Sequence, residues 1–345
     1  MQSGGQDNRA RRPGLRPVAV RLRRAWALIP FGLICALGVI AAPASGPTPA
    51  FAQASGTWVT TGTMTHPRSA ATLLQNGQVL EVGGISGVSE PGGYPALLGA
   101  ELYNPATGKW TATGSMTTGR ANGVFTATLL KDGEVLIAGG VNPSSSSALA
   151  SAELYNPATG TFSPTASMAT ARLGQTATLL QNGEVLVAGG ENSTGFPSSA
   201  ELYNPATGKW TATGNESNTL FSAHAVLLAN GEVFEVGNGG ITELYNPATG
   251  SWSPGAKFDD RSRFSVTLLA TGKVLVVGGQ VYTPRPTHFV ASALLYDPTT
   301  NTWQNTGSMN TARAGQLAVL LQSGQVLVAG GTKVAPFGSA ELYQP

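Results

Sequence analysis

The chain of 345 residues holds a single cysteine, Cys35, and it lies in an apolar run near the N-terminus. Residues 53–345 contain no thiol, which excludes disulfides, thiolate metal ligands and a cysteine nucleophile from that part. Histidine is almost as scarce. His66, His224 and His288 are far apart and form no metal or acid/base motif. Charged residues make up 11% of the chain, against about a quarter in ordinary domains. Positive charge is scarcer still once the N-terminus is set aside, because seven of the 20 Lys and Arg fall within the first 24 residues. Residues 53–345 carry 13 basic and 17 acidic side chains, a formal net charge of −4. Nucleic-acid binding through phosphate neutralisation needs a basic patch, and none is present. No Lys follows the glycine pairs in the manner of a phosphate-binding loop.

The N-terminus reads as a targeting segment. Arginines from Arg9 to Arg24 precede an uncharged apolar run, Ala25 to Ala42, and then the small-residue site Ala50-Phe51-Ala52. That order is the order of a secretory signal. Residues 1–52 are therefore expected to be a signal peptide and 53–345 one domain, secreted or held at the cell surface. The alternative is an uncleaved anchor, for which 18 apolar residues lie at the short edge of a span. Ile34 precedes Cys35 where a lipid-attachment signal would have a small residue. After cleavage no membrane contact is expected.

Glycine is what the chain has in excess, 45 residues, and the excess belongs to a repeat. ELYNPATGKW occurs at 101–110 and again at 201–210, with variants at Glu153–Phe162, Glu243–Trp252 and Leu294–Trp303. Tyrosines recur at Tyr103, Tyr155, Tyr203, Tyr245, Tyr296 and Tyr343. An aromatic follows the first five by seven residues: Trp110, Phe162, Trp210, Trp252 and Trp303. The sixth partner would lie beyond the C-terminus. Ser55-Gly56-Thr57-Trp58 supplies it at the other end of the chain. The 293 residues from 53 onward, over six units, give about 49 per unit, near the period of about 50 known for one propeller repeat.

Each unit holds four strand-like runs. A run ending in Leu-Leu meets an Asn-Gly or Asp-Gly turn, which supplies the positive φ of a tight hairpin. A Val-Leu-x-Val run then ends in Gly-Gly, except in the fourth unit, which has Gly237-Asn238. A loop of variable length leads to Ser-Ala-Glu-Leu-Tyr, and Asn-Pro-Ala-Thr-Gly turns the chain into the Trp strand. Such a sheet cannot bury both faces alone; stacking in a ring solves this.

A glycine pair (Gly237-Asn238 in the fourth unit), then Tyr, then Trp or Phe, repeated over about residues 55–345, resembles kelch repeats and the propeller of the galactose oxidase superfamily. The expected fold is all-β: a six-bladed kelch-type β-propeller whose last blade is closed by the N-terminal strand. The copper radical oxidases that share this fold use a Tyr–Cys crosslink and two His ligands, so the missing cysteine argues against that chemistry. No cofactor or metal is expected. A resemblance to the secreted six-bladed sialic acid epimerase implies an alternative, a sugar-acid epimerase or mutarotase, although no acid/base pair stands out in the sequence.

The strand order assigns function to one face. The short, nearly identical turns share one end of the blades. The second-to-third loops differ between blades and share the other end, where binding residues concentrate on a rigid scaffold. Tyr94, Asn142, Phe196, Tyr282, Arg285 and Phe337 are the loop candidates for contact with a glycan or protein ligand. Arg68, Arg120, Arg172 and Arg313 each follow a Met by four residues, and the fifth unit has Arg261 and Arg263. All six stand at odd offsets before Leu-Leu, so an extended run would place them on equivalent faces at a channel mouth. There they would clamp a carboxylate or sulfate. The other reading is that each braces its own blade against the next by bonding backbone carbonyls, and recurrence favours it. The fourth unit breaks the pattern with Asn215-Glu216-Ser217-Asn218-Thr219-Leu220 and places His224 on the inner strand. Glu101, Glu153, Glu201, Glu243 and Glu341 recur once per blade and read as structural. The chain is expected to act as a monomeric, non-catalytic binding or interaction module.

Overall fold

A computed structural model describes residues 63–65, 70–84, 97–142, 145, 147–220, 222–282, 287–333 and 338–345. The leader at 1–52, the closing segment Ser55–Trp58, and the candidates His66, Arg68, Tyr94, Arg285 and Phe337 lie outside the described residues. Among the described residues the regular structure is strand, apart from one short 3-10 turn at Asn238–Gly240. No helix there is long and apolar enough to cross a membrane.

The strands form six antiparallel meanders. The first runs Ala70–Leu73, Val79–Val82, Gly99–Asn104, Lys109–Ser115. The third runs Thr176–Leu179, Val185–Ala188, Ala200–Asn204, Lys209–Ala212. The fourth begins at His224–Leu227 and Val233–Val236, and the fifth at Ser265–Leu268 and Val274–Val277. The sixth has three described strands, Leu317–Leu320, Val326–Ala329 and Ala340–Tyr343. First strands of successive sheets pack side by side from the first sheet to the sixth. This is the arrangement of blades around a propeller axis. A small extra sheet, Arg261–Ser262 with Gln280–Val281 and His288–Phe289, extends the fifth blade on its variable-loop side.

Burial follows the repeat. The second strand lies between neighbouring blades, so all four residues of Val185–Ala188 and of Val274–Val277 are buried. Cores form at the seams: Leu74, Leu80 and Val82 of the first blade pack with Val135, Ile137 and Tyr155 of the second. Tyr155, Tyr203, Tyr245 and Tyr296 are fully buried. Each lies opposite the aromatic seven residues on, with ring centroids 4.8–5.1 Å apart, a tilted geometry that adds to area burial. The hydroxyls fasten blade to blade. Tyr155 meets Thr113 of the preceding blade at 2.9 Å, and Tyr203 meets Thr165 at 2.9 Å. The fourth blade has Gly255 where this Thr would stand, and Tyr296 instead donates to Asn301 Oδ1 of its own turn at 3.0 Å.

The Gly-Gly pair is a close-approach device. Gly139 has φ +66°, and a Cβ there would lie 2.8 Å from the carbonyl oxygen of Arg172 in the next blade. The following Gly140 donates its N–H to that oxygen at 2.8 Å. Backbone thus touches backbone across the seam, which a side chain would prevent.

Candidate functional site: the variable-loop face and the seam beneath it

The arginines define the layer just below the variable loops. Arg120, Arg172, Arg261 and Arg313 are between 0% and 1% exposed. Arg120 donates to the carbonyls of Gly139 (2.6 Å) and Ser151 (2.9 Å) and to Glu153 (3.3 Å). Arg172 repeats this with Gly189 (2.9 Å), Ser199 Oγ (2.7 Å) and Glu201 (3.3 Å). Arg313 does so with Gly330 (3.0 Å), Ser339 (2.8 Å) and Glu341 (2.9 Å). The fifth blade has Leu294 in place of the glutamate, and Arg261 pairs with Asp259 instead. Each side chain ties the second and third strands of its own blade together. The backbone carbonyls of Arg120, Arg172 and Arg313 accept from Gly84, Gly140 and Gly279 of the preceding blade. Burial lowers the pKa of Arg120 and Arg172, and Glu153 and Glu201 oppose that shift.

This corrects the expectation of a clamp at a channel mouth for these four residues. Their donors are turned into the blades, and no solvent-borne anion reaches them. It also corrects the expected alternation. Arg261 is buried and Arg263 exposed, although both stand at odd offsets. The run between them is not extended, because Arg263 has φ +56°.

Removing such a brace leaves a buried carboxylate without its cation, which costs about 3–5 kcal/mol. Arg172→Ala should lose about that much in chemical denaturation. Arg172→Lys should recover only part of it, since an ammonium cannot reproduce the forked contacts.

The fourth blade departs from the rule. Glu216 occupies the place of the methionines: its N–H donates to the Ser198 carbonyl at 2.8 Å, as Met116 does to Leu98, Met168 to Ala150 and Met309 to Ala291. Leu220 stands where the other blades have arginine, and it is 2% exposed. Glu216 is 4% exposed, with its carboxyl against Gly189 of the third blade. Among the described residues neither oxygen has a hydrogen-bond partner of good geometry. Glu235 is fully buried and accepts from Thr176 Oγ1 of the third blade. It stands directly opposite Glu243 on the next strand. Glu243 in turn accepts the N–H groups of Ser217 and Asn218. Burial, then the neighbouring Glu235, pushes Glu216 up to about 10. Burial pushes Glu235 up to about 7. Low dielectric and like charge both disfavour ionisation here.

The sequence analysis flagged the segment containing Glu216 but singled out His224. The structure packs His224 against the fifth blade, half-buried, its ring centroid 5.6 Å from that of Phe264. Its cross-strand partner is Val236, so it lies on the face opposite Glu235. Burial lowers it to about 4, and it is neutral at ordinary pH. Glu235 was missed. The available signal was the Val-Leu-x-Val strand, where the other units carry Ile137, Val187, Val276 and Val328, and the first unit carries Glu81.

On the variable face, Phe196 is 47% exposed and Tyr282 45%. Both lie in second-to-third loops, of the third and fifth blades. Asn142 ends the second strand of the second blade, half-buried, and its carbonyl accepts from Ser145 at 3.3 Å.

The kelch motif matches residues 124–169, 172–215 and 261–310. Kelch motifs are accordingly present over part of the chain, on an all-β fold whose antiparallel sheets are arranged as propeller blades. Among solved structures it is similar to a fungal alcohol oxidase of the AA5 family in complex with copper (TM-score 0.66, 19% identity, 84% of this chain). The chain spans 65% of the length of that oxidase. It is also similar to YjhT (TM-score 0.59, 15% identity), covering 81% of this chain and 95% of that one. No curated protein matches the sequence. The residues present do not fit the copper of the oxidase: residues 53–345 lack cysteine, and no group of three or more His, Cys, Asp or Glu among the described residues is placed to hold a metal.

Proposed function

We propose that the chain is an exported binding module that holds a glycan or protein ligand on its variable-loop face and carries out no reaction of its own. The observation that carries this reading is the contrast between the two layers on that side. The lower layer of arginine and glutamate is spent within the blades. The upper layer exposes the rings of Phe196 and Tyr282 on loops that differ from blade to blade. Rings beside polar groups on a rigid support suit a saccharide or a protein epitope. The basic leader and small-residue site support export.

The test compares the full chain with a Phe196→Ala, Tyr282→Ala variant, on a glycan array and in cross-linking capture of protein ligands. The expected result is saturable binding weakened about tenfold or more in the variant, a loss in the range of one anchor residue. Equal binding by both proteins would move the ligand off this face.

The sugar-acid epimerase reading gains a carboxyl pair, Glu216 and Glu235, that the sequence did not reveal. Both are under 5% exposed in a closed seam, so no substrate bond lies against them. Anomer exchange followed by NMR should show no acceleration by the chain.

A further inference from the structure

At one backbone position the repeat requires a left-handed conformation. It falls two residues after the brace arginine, at the variable-loop end of the inner strand. The third and sixth blades meet the requirement with glycine, Gly174 at φ +65° and Gly315 at φ +66°. The fourth blade has Ser222 at φ +49°, and the fifth has Arg263 at φ +56°. The conformation serves the ring: Gly174 donates to the Val124 carbonyl and Gly315 to the Arg263 carbonyl, both at 2.7 Å and both to the preceding blade. Glycine does this without strain, whereas a long L side chain in that region is disfavoured. A residue kept at a strained position that its own repeat fills with glycine elsewhere points to a use for its side chain.

The side chain at issue is unlike the other described candidate arginines. Arg120, Arg172, Arg261 and Arg313 are buried and committed, while Arg263 is exposed. Among the described residues its guanidinium makes no hydrogen bond or ion pair. It lies along the sixth blade beside Gly315, where a Cβ would be 3.4 Å from its Nη2. The absence of a side chain at Gly315 leaves that lane open. Ser222 holds the same place on the other flank and is exposed as well.

Resting on the binding function proposed above, we infer that Arg263 is the ligand-contacting cation of the variable face. It takes a single oxyanion, carboxylate or sulfate, on an otherwise uncharged saccharide. A guanidinium with free forked donors matches either group. The charge balance selects a singly charged ligand: residues 53–345 have a net charge of −4, which repels a polyanion or an acidic peptide. Tyr282, in the second-to-third loop of the same blade, supplies an exposed ring on the same side.

The experiment measures binding of the full chain to matched saccharides that are neutral, carboxylated or sulfated at one position. Arg263→Gly and Arg263→Lys are measured beside it. Arg263→Gly restores the residue that the third and sixth blades use, so its melting temperature should equal or exceed that of the parent. Loss of binding cannot then be ascribed to misfolding. The expected result is a preference of tenfold or more for one acidic form, abolished in Arg263→Gly and reduced in Arg263→Lys. The carboxylated and sulfated arms identify which oxyanion is read. Equal binding of neutral and acidic forms, or a preference that survives in Arg263→Gly, would overturn the assignment and leave the binding face intact. Binding of no saccharide also overturns it, and the binding function then rests on the Phe196 and Tyr282 comparison with protein ligands.

Discussion

Glu216→Met should stabilise the propeller, by about 2–4 kcal/mol at pH 8. The substitution restores the residue that Met116 and Met168 represent in the same slot, where they are 2% and 4% exposed. A buried carboxyl without a well-made hydrogen bond costs about 1–3 kcal/mol. A buried Met side chain returns about 1.5–3 kcal/mol of transfer free energy. For a chain of this size, that corresponds to a rise in melting temperature of roughly 4–10 °C. The sign of the pH dependence is fixed by the direction of the shifts. Glu216 and Glu235 both hold their protons more tightly in the folded chain than the ordinary value of 4.5, at about 10 and about 7. The folded state therefore binds more protons than the unfolded state above pH 4.5, and stability falls as pH rises. The contribution is fully present below about 4.5. That of Glu235 is lost through about 7, and that of Glu216 through about 10. Arg172 feels the Glu216 charge, but it is already committed to Glu201. Thermal melts from pH 5 to 9 should slope downward for the parent and less steeply for Glu216→Met, which keeps only the part due to Glu235. Parallel profiles would mean that the pair does not control the seam.

The same substitution separates structure from use. A repeat protein that keeps a destabilising exchange in one unit, methionine to Glu216 and arginine to Leu220, gives up stability there. If the fourth seam serves only to close the ring, Glu216→Met leaves ligand binding unchanged. Loss of binding alongside a higher melting temperature would place that seam within the functional apparatus.

The fold was legible because its determinants are local and repeated. Asn-Gly turns, glycine pairs and the Tyr–Trp spacing each report a backbone requirement, and each recurs often enough to reveal its register. The site was legible only in part. That Arg172 and Arg313 are braces depends on which way a guanidinium turns, and nothing in their spacing distinguishes an inward fork from an outward one. Arg261 and Arg263 show why. They are two residues apart and were expected on one face, but the positive φ of Arg263 accompanies the difference between a buried brace and an exposed cation. Glu235 was hidden for a different reason. In an antiparallel pair its neighbour is Glu243, eight residues on, and its other partner, Thr176, belongs to a different blade.

Deleting residues 53–64 should cost the chain its cooperative fold. In the first five sheets a fourth strand covers the third. In the sixth, Ala340–Tyr343 is the outermost described strand. Its Leu342 is 48% exposed, whereas the equivalent Leu154, Leu202 and Leu244 are half-buried. Tyr343 is half-buried, where four of its counterparts are at 0%. An uncovered strand with an apolar side chain is a template for pairing with another chain. The repeat register assigns Ser55-Gly56-Thr57-Trp58 to that edge, as the counterpart of the segment around Trp110 or Trp210. A strand supplied there from the N-terminus would join the two ends of the chain and close a loop of nearly the whole domain. Losing it opens the seam as well as one hairpin. The truncated chain should therefore melt at least 10 °C lower, without a single sharp transition, and should elute as soluble aggregate. Trp58→Ala should show a smaller drop in the same direction, since it removes the ring and leaves the strand. A truncated chain that stays monomeric and melts like the parent would show that the ring is fastened elsewhere.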